Sequence, residues 1–467
     1  MAEEAQLYQK RLAIHPRSVE GRFRKLKTGV VLLAYGVYFL LPWLRWSRPT
    51  GVNQAVLFDL PGRRFYLFDL VVQAQDIFWL AGLLVIAATL LFFVTGLAGR
   101  VWCGYFCFQT LWTDVFIMIE QAIQGERPAR LRLAKQPWDA EKRRKMLLTW
   151  ASWLGVAFLT GLTFTLYWAD APTLVGEFLT GAAPFAAYAT TGFLTATTFV
   201  MAGLAREQVC TYMCPYARFQ SAMFDRDTLI ISYDPRRGER TAGRAKLGRD
   251  LKSRDDRMAA GVGDCVDCGY CVQVCPVGID IRRGLQYQCI SCALCVDACD
   301  TVMDKLEWPR GLIKYTSDNS LNDRPTRLLK PKNIGYALVL VLTITMLGWS
   351  IANRAALDAV VEQIRQPLSV QLSDGRVQNS YEIKLNSKVA QPGRLRIAIE
   401  GLPGAELDME GLETIELGAE QRLRLPAKVR AMPVAGRERQ SFEFVITPLS
   451  GLGTEPIRRP AAFYAGQ

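Results

Sequence analysis

Eight cysteines between positions 265 and 299 repeat one spacing twice. The first copy is Cys265-Val-Asp-Cys268-Gly-Tyr-Cys271-Val-Gln-Val-Cys275-Pro276, and the second is Cys289-Ile-Ser-Cys292-Ala-Leu-Cys295-Val-Asp-Ala-Cys299. Three thiolates set this close together wrap three corners of an iron-sulfur cubane, and the fourth, more remote one reaches across to a second cubane. The spacing predicts two 4Fe-4S centres. One is held by Cys265, Cys268, Cys271 and Cys299, and the other by Cys289, Cys292, Cys295 and Cys275. Structural zinc fits poorly, because a closed zinc site takes four ligands, typically as two separated C-x-x-C pairs. Disulfides fit no better, since cysteines three apart in a tight loop rarely reach bridging geometry.

Each copy has the spacing of a bacterial two-cluster ferredoxin, which makes residues 226–332 an α+β module that moves single electrons. Asp300 stands where the first copy has Pro276. That proline shapes the exit of the chain and is not a ligand, so the pairing of the thiols is unaffected.

The apolar residues of the 467-residue chain come in blocks. Thr28–Leu44, Ile77–Ala98, Met146–Trp168, Ala182–Ala205 and Asn333–Ala352 each approach the ~20 residues that span a bilayer. The run Ala81-Gly-Leu-Leu-Val-Ile-Ala-Ala-Thr-Leu-Leu-Phe-Phe-Val94 has no polar face to turn toward water. Five membrane helices follow, four of them in a membrane domain over residues 28–225 and the fifth at 333–352. The first block ends in Leu-Leu-Pro-Trp-Leu-Arg with no small-residue cleavage site, so it reads as an uncleaved anchor.

Lysine and arginine favour cytoplasmic segments. The tail at 1–27 carries seven, Gly99–Lys145 nine and Arg206–Lys332 twenty-one, whereas 169–182 carries none. Arg45–Asp76 carries four against three aspartates and is the weakest indicator. This count puts the amino terminus and the ferredoxin module in the cytosol of a bacterium, across a multi-pass inner membrane, and the carboxyl terminus in the periplasm. It also accounts for the net charge of +12 without nucleic acid.

After Ala352 cysteine disappears and short period-two segments take over: Tyr381–Leu385, Arg394–Ile399, Gln421–Leu425 and Phe442–Ile446. Residues 353–467 are predicted to form an all-β, immunoglobulin-like sandwich. It lacks metal ligands, so docking to a membrane partner is its expected role. His15, the single histidine, reads as a solvated residue of the tail. Gly261-Val-Gly263 lacks the third glycine of a nucleotide-binding fingerprint.

The four remaining cysteines form two C-x-x-x-C pairs, Cys103-Gly-Tyr-Phe-Cys107 after the second span and Cys210-Thr-Tyr-Met-Cys214-Pro215 after the fourth. On a helix, residues at i and i+4 share a face, so each pair is predicted to present two thiolates to one object. Arg100 and Arg206 are predicted to lower the thiol pKa values. Thiolates select monovalent copper or iron-sulfur centres, and Met213 offers a thioether beside Cys214. Copper on Cys103, Cys107, Cys210 and Cys214, or a further cluster there, are both compatible with the residues.

Taken with Trp102-Cys-Gly-Tyr-Phe-Cys-Phe-Gln-Thr110, Cys210-Thr-Tyr-Met-Cys-Pro-Tyr-Ala-Arg-Phe-Gln220 and Cys299-Asp-Thr-Val-Met303, nearly the whole chain resembles the CcoG/FixG/RdxA proteins and, more distantly, the NapH polyferredoxins. The first are accessory factors for assembling the cbb-type cytochrome c oxidase. That resemblance implies reduction of divalent to monovalent copper for the oxidase, with a cytosolic electron donor, oxidase-assembly or copper-handling proteins as partners, and a homo-oligomer as one possible state. The NapH likeness implies instead exchange of electrons with quinone or a reductase. The family's usual proline is Phe108 in this chain, which predicts a different orientation for Cys107.

Overall fold

A computed structural model describes residues 13–48, 51–248, 250–409, 411–433 and 438–465. Among them, five helices are long and apolar enough to cross a membrane: Arg22–Trp43, Ala74–Ala98, Ala140–Leu166, Phe185–Ala205 and Pro331–Ala352. The helices of the first unit up to the second cysteine pair are α1 (Arg22–Leu40), α2 (Ile77–Ala98), α3 (Val101–Tyr105), α4 (Phe108–Gln124), α5 (Arg127–Lys135), α6 (Ala140–Leu166), α7 (Ala171–Thr180), α8 (Phe185–Thr198) and α9 (Pro215–Ala222). The chain divides into two compact units, the first holding residues 56–60 and 74–346 with the amino-terminal segment to 44, the second holding 45–55, 61–73 and 347 onward.

Within the first unit α4 is the central element. Phe116 on α4 is fully buried and stacks on Trp153 of α6 at 5.5 Å and 16°. Trp112 Nε1 donates to Thr160 Oγ1 at 2.8 Å, fixing α4 against α6 a turn further along. Polar residues of α4 are buried too, among them Gln109, Thr110, Asp114, Glu120 and Gln124. Their partners lie on other elements, Gln124 Nε2 donating to Thr149 Oγ1 of α6 at 2.9 Å and Glu120 pairing with Arg206 at 2.8 Å. Asp114 accepts from Arg24 and Lys27, each at 3.0 Å.

The ferredoxin module closes on a two-stranded sheet, Ile230–Tyr233 against Ile313–Thr316. It also finishes the ends of two membrane helices. The first amides of α1 have no partner within the helix, and the carboxylate of Asp297 takes Phe23 N at 3.3 Å and Arg24 N at 2.8 Å. Asp297 lies between Cys295 and Cys299 on the helix Leu294–Lys305. For the second helix, carbonyls of the last turn of α2 accept from Thr228 Oγ1, Leu229 N and Tyr315 OH at 3.3, 2.9 and 2.9 Å.

The second unit contains the all-β region. One sheet runs Glu406–Asp408, Arg422–Ala431, Val377–Ser387 and Leu357–Gln363, with Val370–Gln371 paired to the third; the other runs Ile415–Leu417, Gly393–Glu400, Arg439–Ser450 and Ile457–Tyr464. All pairings are antiparallel. The four period-two segments read from the sequence fall in these strands except for Gln421, which precedes its strand, and the core includes Tyr381, Ile383, Leu395, Phe442 and Phe444. The hairpin Arg64–Leu67 and Leu70–Gln73, which the sequence places between the first two spans, belongs to this unit.

Candidate functional site

The two cysteine repeats adopt one loop conformation twice. Asp267 and Gly269 in the first, and Ser291 and Ala293 in the second, all take left-handed backbone angles, with φ of 47, 65, 54 and 59°. The equivalent residues are 24 positions apart in both cases. Left-handed residues alternating with right-handed ones turn successive N–H groups inward, the arrangement that receives anionic sulfur centres. Two cavities result. One is lined by Cys265, Cys268, Cys271 and Cys299, and one by Cys275, Cys289, Cys292 and Cys295, with Cys271 lining both. Apart from Arg282 beside the first, both are walled by apolar or aromatic residues and the thiols.

This donor set fits two 4Fe-4S cubanes. Burial pushes the Cys275 and Cys299 thiols up to about 12 and the Cys289 thiol up to about 11, with neighbouring thiols adding to the rise. Arg100 pulls against the rise at Cys289 without reversing it, so the positive charge that makes these groups thiolates must come with the iron. All twelve cysteines are free of disulfides. Arg257, unnoticed in the sequence, is fully buried and donates to the carbonyls of Gly263 and Cys265 at 2.9 and 3.0 Å, holding the first repeat in place.

The two C-x-x-x-C pairs do not lie on one helical face as the i, i+4 spacing predicts. Each pair straddles a break. Cys103 is on α3, whereas Cys107 is extended at φ −65°, ψ 124° and precedes α4; Cys210 is in a π turn, whereas Cys214 is extended at φ −81°, ψ 108° and precedes α9. In both, the second cysteine donates its N–H to the carbonyl five residues back, Cys107 to Trp102 at 2.9 Å and Cys214 to Val209 at 2.8 Å. Pro215 forces the extended angle at Cys214. Phe108 does not alter Cys107 as expected: its backbone matches that of Cys214 without a proline, because α4 starts there on bonds from Thr110 N and Leu111 N to Cys107 O, both 3.0 Å.

Gln220, on α9, joins the two motifs. It is fully buried, its Oε1 accepts from Cys103 Sγ at 3.1 Å, and its Nε2 donates to Thr95 on α2 at 3.0 Å and to Tyr216 at 2.9 Å. The four thiols are close enough to couple. Burial pushes Cys210 up to about 12, with Cys107, Cys103 and Cys214 adding to the rise and Arg100 opposing it. Cys103 is likewise raised by burial against the pull of Arg100. For Cys103 and Cys210 the expected lowering is therefore overturned, since desolvation outweighs one guanidinium. Arg206 is engaged elsewhere, on Glu120 at 2.8 Å.

Glu120 gathers Arg206, Arg130 at 3.5 Å and His15 at 3.7 Å, so His15 is part of a buried charge group rather than solvated. Burial raises the Glu120 carboxyl, but His15 and the two guanidinium groups outweigh it and hold it below the usual carboxylate range. Met213 is 59% exposed, whereas Cys103 is buried. Among the described residues no three His, Cys, Asp or Glu side chains converge tightly enough to hold a single metal ion.

The first motif rests directly on the second cluster loop. A Cβ on Gly104 would stand 2.7 Å from Ile290 O and 3.0 Å from Cys292 Cα, so only glycine permits this approach. Tyr105 OH donates to Cys292 O at 3.1 Å, and the buried Arg100 guanidinium donates to Tyr287 O. Val19 and Cys103 share a hydrophobic cluster with Ile290, Cys292 and Leu294.

Residues 205–318 match the profile of the 4Fe-4S dicluster domain, and residues 347–466 match that of the IG-like fold at the C-terminus of FixG. The protein RdxA of Cereibacter sphaeroides is 43% identical over 87% of this chain and 86% of its own length. This chain belongs to the FixG/RdxA family. The protein RdxB of the same organism is 42% identical over 88% of the chain and 86% of its own length, and the nitrogen fixation protein FixG of Rhizobium meliloti is 41% identical over 94% and 89%. As a FixG/RdxA protein the chain is a membrane-associated, iron-sulfur electron-transfer protein of the oxidase accessory family, with an all-β, immunoglobulin-like carboxyl-terminal domain.

Proposed function

We propose that this chain reduces Cu(II) to Cu(I) at Cys103, Cys107, Cys210 and Cys214 and supplies the monovalent ion for assembly of a cbb-type cytochrome c oxidase. The observation that carries this reading is the seating of Gly104 on Ile290 and Cys292, which brings a thiol motif against the loop of one cluster. When bound by the eight repeat cysteines, a pair of 4Fe-4S centres supplies electrons one at a time. Each copper ion takes one electron, and the neighbouring thiols favour the soft product over the divalent substrate. The thiols of Cys103, Cys107 and Cys214 are close enough to Cys210 to act on it.

In this reading the amino terminus and both thiol sites face the cytoplasm, where a soluble low-potential donor charges the more exposed repeat at Cys268. The carboxyl-terminal domain then faces the periplasm and its copper-handling partners. The test uses iron-loaded, full-length protein that is reduced, desalted and given Cu(II) with a chromogenic Cu(I) chelator. Wild type yields chelated Cu(I), and the variant with serine at all four membrane-edge cysteines loses it while keeping its iron and sulfide. Equal yields from the two proteins sink the proposal, and loss of iron from the variant points to a further cluster at those thiols.

A further inference from the structure

At four boundaries of the membrane helices, a cation bordering the apolar run is consumed by the protein itself. Lys27 pairs with Asp114, Arg100 donates to Tyr287 O, Arg206 pairs with Glu120, and Lys332, at the start of the last span, pairs with Asp225. The boundary where α6 begins differs. Its first turns carry Lys142, Arg143, Arg144 and Lys145 in a row, and of these only Lys145 has an ion-pair partner among the described residues, Glu141 at 2.7 Å. Arg143 and Arg144 are exposed, and among the described residues nothing bonds to either guanidinium.

Both arginines stand over exposed leucines of the span. Residues four apart share a helix face, so Arg143 lies one turn before Leu147 and Arg144 one turn before Leu148, which are 63% and 52% exposed on a helix long and apolar enough to cross a membrane. One turn is about 5.4 Å, and the headgroup layer on each side of the ~30 Å hydrocarbon core is about 5–8 Å deep. Helical side chains lean toward the amino-terminal end, which for α6 is the end away from the core. The two guanidinium groups therefore stand at the depth of the phosphates of the lipids whose chains cover Leu147 and Leu148.

The bend ahead of α6 extends this surface. Lys142 is buried, and its Nζ donates to Ala134 O and Gln136 O at 3.1 and 2.6 Å, fastening the end of α5 to the first turn of α6. α5 buries Arg130 and Leu133 and leaves Arg132 and Lys135 exposed, with no partner among the described residues. The nearby carboxylates are engaged, Asp139 by Lys142 N and Glu141 by Lys145. Trp138, between the two helices, is 61% exposed, and Lys142 Nζ stands 5.1 Å from the centre of its ring. An indole in this position is the side chain that settles at a membrane-water interface.

We propose that the α5–α6 elbow binds the phosphate headgroup of an anionic phospholipid through Arg132, Lys135, Arg143 and Arg144, with Trp138 in the interface beside it. Cations at an anionic lipid surface each add to the attraction, whereas a zwitterionic lipid brings its own cation to the phosphate and gains less from four unpaired ones. A soluble acidic protein would have to enter the headgroup layer, where lipid already covers Leu147 and Leu148. Lipid binding here does not depend on the thiol chemistry.

Full-length, iron-loaded protein in detergent is titrated with phosphatidylglycerol or with phosphatidylcholine, and bound lipid is counted by native mass spectrometry. Phosphatidylglycerol is expected to bind about tenfold more tightly or better. Replacing Arg132, Lys135, Arg143 and Arg144 together by Gln is expected to bring the two lipids within about twofold of each other, with iron and sulfide unchanged. Gln at Arg240, Arg244, Lys246 and Lys252, exposed cations of the ferredoxin module, leaves the preference intact. In a second measurement, phosphatidylglycerol with a nitroxide close to its headgroup quenches tryptophan emission of the wild type more than that of Trp138→Phe, and this comparison decides the matter if the first quadruple variant loses its iron. Equal affinity for the two lipids, a preference lost equally in the second quadruple variant, or quenching unchanged in Trp138→Phe overturns the proposal. Displacement of the lipid by an equal concentration of glycerol phosphate identifies a site for free phosphate and overturns it as well.

Discussion

At the scale of single residues, Gly104 and Cys210 carry the sharpest expectations. Gly104→Ala places a methyl group 2.7 Å from Ile290 O, and the backbone of one motif must retreat. Copper reduction is expected to fall by about tenfold, on the sensitivity of positioned reactions to shifts of this size, with iron content unchanged; a rate equal to wild type would mean the close approach is not on the electron route. Because burial pushes the Cys210 thiol up to about 12, it is protonated at neutral pH and must release that proton to bind a metal. Cu(I) affinity is therefore expected to rise with pH, by about tenfold per unit for each thiol displaced in this way, in chelator competition between about pH 6.5 and 8.5. The same sign governs the metal-free protein. A thiol that ionises near 9 when unfolded and near 12 when folded adds stability that is full below 9 and is lost as pH rises toward 12.

At the scale of elements, Asp297 caps α1 from a helix of the ferredoxin module. Asp297→Ala leaves the amides of Phe23 and Arg24 unsatisfied and is expected to cost about 1–3 kcal/mol, seen as a lower unfolding midpoint and faster tryptic cleavage at Arg17 and Arg22. The cysteine repeats, the five apolar blocks and the period-two strands were legible in the sequence because each has a short, regular spacing tied to one geometry. The breaks at Cys107 and Cys214 were not, since a five-residue backbone closure leaves no side-chain period. Nor was α4 legible as the centre of the membrane unit. Its buried face carries Gln109, Asp114, Glu120 and Gln124, which read as a basic, solvated connection until their partners on other elements are known. Arg48 explains the ambiguous charge count of the segment between the first two spans. Its guanidinium donates to the carbonyls of Val52, Gln54, Ala55 and Phe68 at 3.1, 2.5, 2.9 and 2.8 Å, so it is placed by local folding rather than by membrane sidedness.

At the scale of the molecule, the ferredoxin module and the membrane helices share one unit, and the second cluster loop borrows Val19 and Cys103 for its core. A fragment of residues 226–318 alone is therefore expected to hold about four iron atoms, on the thiols around Cys265, rather than the eight of two cubanes; full occupancy in iron and sulfide analysis would show the module to be self-sufficient. The bond from Phe23 N to Asp297 spans 274 positions, and the one from Tyr270 OH to Ser18 O spans 252. A ribosome adding about 5–20 residues per second delivers Asp297 some tens of seconds after the tail it caps. The contacts of His15, Arg24 and Lys27 with Glu120 and Asp114 can form as soon as α4 is made, so a nascent protein stalled before the second cysteine repeat carries a segment tethered to α4 whose helix still waits, uncapped at Phe23 and Arg24, for Asp297.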